Sequence, residues 1–340
     1  MRIDIALRLK PFSHLPGTIC VIPGTDVRVR VFPSRFYLFQ ADGAFHEERI
    51  DIQGPVRGFT VEVDLEKQQT SVFGSDKRGF FHYYLKASKN GFIQQVFDKG
   101  PSKILPIKSL GQVVLYEEKL SLGIHKHQKW EAIRERCDLR EIFPFWLQCG
   151  QNTPKHFLSK ESKGSLQLLR ECEGLYSARE RVFLKERLQH LVAVGFEGIL
   201  NPRLHDPEYQ GIISDEVVED PCASLALLSQ GAELIRNLFF VEMEGRWSIL
   251  PCLLPQFVSG RFIKVKTMKE ELLDIEWSNG VLRRLKITPT NTRRIELILP
   301  KELKGFRLRE NMAEKGSMCH STASLFLEEG KPLFLDRFQK

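Results

Sequence analysis

The chain is poor in the features that announce a catalytic or secreted protein. No two of its seven cysteines stand at a CxxC spacing, so neither a zinc ribbon nor a disulfide framework is expected. Cys252, set in Leu250-Pro251-Cys252-Leu253-Leu254, has the surroundings of a reduced core thiol. Phosphate-cradling GxxxxGK(S/T) and GxGxxG loops are missing, as are GxSxG and HExxH. Nucleotide cofactors, a hydrolase elbow and a zincin centre are set aside with them, so no cofactor is expected. No apolar stretch approaches the roughly 20 residues that a membrane helix needs. The first residues, Met1-Arg2-Ile3-Asp4-Ile5-Ala6-Leu7-Arg8, put charge where a secretory signal wants an unbroken apolar run. A cytoplasmic protein without a membrane partner is the expectation. Tyrosine is also scarce, at 6 against 24 phenylalanines. Buried phenylalanine needs no hydrogen-bond partner, so dry cores are expected.

What is present is an ordinary globular balance, 42% hydrophobic and 27% charged, over 340 residues. That length implies two or three packed parts. The net charge of +7 is not spread evenly: Pro251–Glu310 holds 13 Lys and Arg against 7 Asp and Glu. No basic run or RNA-binding aromatic motif goes with it, which sets nucleic acid aside as a partner.

Residues 1–122 read as strands. Arg2–Leu9 and Asp26–Val31 largely alternate, and Phe36–Gln40, Phe59–Leu65, Gly79–Lys86, Gly91–Phe97 and Gln112–Glu117 follow between turn formers such as Pro23-Gly24 and Asn90-Gly91. An antiparallel β-sandwich is expected. Residues 123–245 form a helical region. Ser177-Ala178-Arg179-Glu180 has the form of a capping box opening a helix that Gly195 closes. Another helix is expected over about Ala223–Phe240, with Leu225, Leu228, Ala232, Ile235 and Phe239 on one stripe. Residues 246–340 return to strands as a C-terminal β-domain with a terminal tail. There Ser278-Asn279-Gly280 reads as a three-residue hairpin loop pairing Trp277 with Val281 and Leu273 with Leu285. Ala323–Leu327 reads as a last edge strand. The fold class is mainly β with a helical middle (α+β).

Within the last part, Gly245-Arg246-Trp247-Ser248-Ile249-Leu250-Pro251-Cys252-Leu253-Leu254-Pro255, then Ser259-Gly260, then Asp274-Ile275-Glu276-Trp277-Ser278-Asn279-Gly280-Val281-Leu282, resembles the large (α/α)-toroid α-L-fucosidases. These carry such a segment between their last catalytic helix and a C-terminal β-domain. The resemblance covers under a quarter of the chain and implies a strand-rich start, helices, then strands. Two departures speak against glycoside hydrolysis. Residues 123–245 are too few for a twelve-helix toroid at ~12 residues per helix. The family's catalytic acid would fall in Leu225-Ala226-Leu227-Leu228-Ser229-Gln230, which holds no carboxylate, and the usual route needs two. A non-catalytic protein binding carbohydrate or another protein is the leading reading.

Other candidates are weighed by what surrounds them. Asp206, Glu208 and Asp215 lie in the densest carboxylate cluster, and a minimal glycoside hydrolase would use this 205–220 loop. Against that, a solvated loop before a helix has the same composition. His125-Lys126-His127 offers two zinc ligands without a third nearby, so no metal is expected. Ile142-Phe143-Pro144-Phe145-Trp146-Leu147 reads as a buried anchor between parts sooner than as a sugar-stacking platform. Arg283, Arg284, Lys286, Arg293 and Arg294 would serve an anionic partner if they shared one face, although alternation already divides Arg283 from Arg284.

Overall fold

The computed structural model describes residues 3–5, 9–40, 43–88, 90–98, 102–106, 117–124, 128–155, 164–204, 223–311, 313–321 and 324–340. The chain is mainly strands around a helical middle. It begins with β1 (Phe12–Ser13), β2 (Thr18–Val21), β3 (Arg28–Phe32), β4 (Arg35–Phe39), β5 (Phe45–Arg49), β6 (Arg57–Asp64), β7 (Gln69–Asp76), β8 (Gly79–Ala87), β9 (Ile93–Phe97) and β10 (Lys103–Ile104). These make two antiparallel sheets, ordered β2-β3-β4-β5 and β1-β6-β7-β8-β9-β10. Alternation decides which side of each faces inward. Val29, Val31, Phe36 and Leu38 of one sheet, and Val61, Val63, Val72, Tyr83 and Leu85 of the other, are buried. Each such side chain contributes roughly 1.5–3 kcal/mol. The Phe36 and Tyr83 rings meet between the sheets at 6.1 Å.

The middle holds β11 (Lys119–Ser121), α1 (Trp130–Arg136), α2 (Leu139–Gln151), α3 (Ser165–Ser177), α4 (Arg181–Gly195), β12 (Phe196–Glu197), β13 (Asn201–Pro202) and α5 (Ala223–Phe239). The Asp138 side chain caps α2 by accepting from the Arg140 amide, satisfying a donor the helix leaves open. The aromatic run of α2 is wholly buried, so it is an anchor. Trp146 Nε1 donates to the Leu228 carbonyl of α5 at 3.0 Å, and the Phe143 and Phe257 rings meet at 5.5 Å. Two glycines permit this approach. A Cβ on Gly231 would lie 2.2 Å from the Trp146 ring, and one on Gly150 would lie 2.4 Å from the Leu228 carbonyl oxygen. The capping box is corrected. Ser177 ends α3 instead, its hydroxyl donating to the Glu173 carbonyl, and Glu180 precedes α4 without a side-chain cap.

The remaining strands are β14 (Phe240–Met243), β15 (Arg246–Ile249), β16 (Gly260–Lys266), β17 (Leu272–Ser278), β18 (Val281–Thr288), β19 (Arg293–Ile298), β20 (Gly305–Arg309), β21 (Ser317–His320), β22 (Ser324–Leu327) and β23 (Leu333–Gln339). They form the sheets β11-β16-β17-β18-β23-β20-β21 and β14-β15-β19-β22. Thus β11, which precedes the helices, pairs with a strand that follows them. The expected hairpin register is also corrected. Ser278 faces Val281 across a two-residue Asn279-Gly280 turn, and a bulge at Arg283 brings Ile275 opposite Leu285 and Leu273 opposite Ile287. An extra residue in one strand restores the apolar pairing that a plain two-residue loop would lose. Nor does the chain end on β22: β23 follows and lies inside the larger sheet between β18 and β20.

A candidate ligand-binding groove beside helix α5

Helix α5 has an apolar face turned inward, with Leu225, Leu228, Ala232, Ile235 and Phe239 buried. Helical periodicity then places Ser229, Glu233, Arg236 and Asn237 together on the other side. These residues line a groove with two lobes of about 600 and 540 Å³ that share Lys155, Ser229, Glu233 and Asn237. The first lobe runs toward Arg170, Glu173 and Tyr176 on α3. The second runs under Gln151 and Thr153 at the end of α2, past Glu118, to Glu242 and Met268 of the C-terminal strands. The groove therefore lies where the helical middle meets the C-terminal sheets.

Two buried ion-pair assemblies fix its floor. Glu118, 1% exposed, receives the Arg236 guanidinium on both oxygens at 3.0–3.2 Å. The Lys266 amide at 2.9 Å and the Gln151 side chain complete its shell. Arg236 also donates to the Lys266 carbonyl at 2.6 Å and lies over the Phe240 ring at 5.2 Å. In the second assembly, Arg293 donates to Glu271 at 2.7 and 3.0 Å and to Glu242 at 3.3 Å. Trp247 Nε1 and the Met268 amide also donate to Glu242, at 3.2 and 2.7 Å. Burial opposes the charge of Glu271, but hydrogen bonds from Arg293 and Thr267 outweigh it and hold the carboxyl below its ordinary value.

Above this floor the groove offers separate polar groups. The Asn237 side-chain amide has no protein hydrogen bond among the described residues, while its carbonyl accepts from the Tyr176 hydroxyl at 3.2 Å. Lys155 and Glu233 stand 4.0 Å apart at the rim, the first 69% and the second 61% exposed. Met268 is 80% exposed beside them. This mixture of a donor, an acceptor, an amide and an apolar edge suits a neutral, hydroxyl-rich molecule. Glu118 and Glu242 each face an arginine.

No family model matches the chain, and no curated protein matches it. The geometry therefore stands by itself. Asp206, Glu208, Asp215 and the His125-Lys126-His127 run lie outside the described residues. Ala226 and Leu227, where the toroid resemblance would put an acid, are buried at 0% exposure. The basic C-terminal residues are not brought together: Arg283, Arg284 and Lys286 lie on β18 and Arg293 and Arg294 on β19, in different sheets. Moreover Arg284, Lys286 and Arg293 have carboxylate partners. Among the described residues no cluster of three or more His, Cys, Asp or Glu could hold a metal, and no helix is long and apolar enough to cross a membrane.

The sequence reading missed the whole groove. The polar stripe of α5 was visible in the 229–237 spacing. Glu118 carried no signal, because its partner Arg236 lies 118 residues further along.

Proposed function

We propose that this protein binds carbohydrate without hydrolysing it, in the groove along α5. The observation that carries this reading is the pairing of each buried groove carboxylate with an arginine, beneath the Asn237 amide and the exposed Lys155–Glu233 pair. Such a floor engages its carboxylates in ion pairs, which leaves the hydrogen-bonding groups above them to meet a sugar. The partial resemblance to toroid-type glycoside hydrolases agrees with this, since the helix that would end their barrel is the one lining the groove here. The test is a glycan array and aryl-glycoside assays on the full chain and on Asn237→Leu. Saturable binding that Asn237→Leu weakens at least tenfold, without turnover, is expected. Turnover abolished by Asp206→Asn or Glu208→Gln would favour the minimal hydrolase instead.

A further inference from the structure

The outward side of the β2-β3-β4-β5 sheet is built unlike the rest of the surface. Strand registers place Arg28, Phe39 and Phe45 in one row, Arg30, Tyr37 and Glu47 in the next, and Phe32, Arg35 and Arg49 in the third. Their neighbours Val29, Val31, Phe36 and Leu38 point the other way, into the core. The face thus carries four arginines, four aromatic rings and a single carboxylate, with no aliphatic side chain on β3, β4 or β5. The other sheet of the sandwich is balanced by contrast: Lys10 pairs with Glu62 and Asp64, and His82 with Asp98.

The rings and guanidinium groups form one connected surface. Tyr37 and Phe45 stack at 5.5 Å with 22° between planes. Phe39 meets Phe45 at 5.5 Å, and Phe32 meets Tyr37 at 5.9 Å. Arg35 covers Phe32 and Tyr37 at 5.6 and 5.4 Å from their centroids. Glu47 is engaged by Arg49 at 3.2 Å and by Arg35 at 4.0 Å. Arg30 is exposed and has no ion-pair partner among the described residues. It also walls an adjoining hollow of about 380 Å³ in which Arg134 is balanced by Glu131 and Glu197.

We propose that this face binds an acidic polysaccharide, with uronate carboxylates on Arg30 and Arg49 and a pyranose ring against Phe45. The inference rests on the carbohydrate-binding reading and adds a second, charged contact remote in sequence from the groove. Guanidinium forks match carboxylates in two-point fashion, and the excess positive charge selects a polyanion. A single strand of nucleic acid fits less well. Successive bases each need a free ring face, whereas Tyr37 has Arg35 and Phe45 against it, leaving the 57%-exposed Phe45 ring as the open one. An acidic peptide would find aliphatic surface only at the β2 margin, where Leu15 and Ile19 line the hollow beside Arg30.

The experiment is retention of the full chain, and of Arg30→Gln/Arg49→Gln and Asn237→Leu, by polygalacturonate. Comparison ligands are its methyl-esterified form, a neutral oligosaccharide, poly-dT and polyglutamate, each at low and high salt. Expected are tight polygalacturonate binding that salt weakens steeply, at least tenfold weaker binding to the ester, at least tenfold loss in the double arginine variant, and little change in Asn237→Leu. Equal binding of the ester, or equal or tighter binding of poly-dT or polyglutamate, overturns the proposal. So does an arginine variant that binds like the parent. Neutral-sugar binding sensitive only to Asn237→Leu leaves the groove reading standing and removes this one. Retention of no carbohydrate of either kind removes both.

Discussion

In the N-terminal sandwich Arg30, Arg35 and Arg49 of β3, β4 and β5 stand outside the fold, facing solvent among aromatic rings. In the C-terminal sheets and where α5 meets them, Arg236, Arg293, Arg307 and Arg309 are drawn inward onto Glu118, Glu271 and Asp336. The difference follows from what each region must join. The sandwich closes on itself through two dry apolar faces and needs no charge at its seam. The C-terminal sheets take in β11 from before the helices and dock on α5, so strand ends and helix flanks with unspent backbone groups meet there. Arginine satisfies several acceptors at once, as Arg236 does with Glu118 and the Lys266 carbonyl. Buried pairs of this kind hold a geometry more than they add stability, because desolvation offsets much of the attraction.

The contrast is broken most sharply by removing one partner of a buried pair. Arg236→Met leaves Glu118 uncompensated at 1% exposure and is expected to cost about 3–5 kcal/mol in urea unfolding. Adding Glu118→Met to it should recover most of that loss. A double variant no better than the single would mean that the pair is incidental. Next comes the helix crossing: Gly231→Ala drives a methyl toward Trp146 and should cost about 1–3 kcal/mol by overpacking, measured the same way. Acid gives a third test. Hydrogen bonds from Arg307 and Arg309 hold the Asp336 carboxyl below its ordinary value, as those to Glu271 do for that residue. A lowered carboxyl stabilises fully above its unfolded value, roughly 4, and loses that contribution as pH falls through the folded one. The urea midpoint should therefore drop below about pH 4, and less steeply in Glu271→Gln. The smallest effect belongs to the outer face, where Arg30→Gln should shift stability by no more than about 0.5 kcal/mol.

Legibility in the sequence follows the range of the interactions. Alternation at Arg28–Val31 and Phe36–Leu38, and the apolar stripe of α5, report local burial, and the structure has both. The same two-residue period also displays the arginine and aromatic face of β3, β4 and β5. Failures came where local and distant demands compete. Ser177-x-x-Glu180 satisfies the form of a capping box, yet the preceding helix holds Ser177 through Glu173. Asn279-Gly280 is a turn signal legible in kind but not in register, because the bulge at Arg283 follows from the pairing of Ile275 with Leu285 and Leu273 with Ile287. The groove depended on Glu118, β16 and α5 meeting, and no window of sequence contains all three.

The most direct measurement is isothermal titration of the full chain with the neutral oligosaccharide that the array selects, followed by analysis of the recovered sugar. Saturable binding weakened at least tenfold by Asn237→Leu, with the oligosaccharide recovered intact, is the expected result. Release of shorter sugars that stops on Glu233→Gln would show a working acid in the groove and contradict a floor built only to hold and orient.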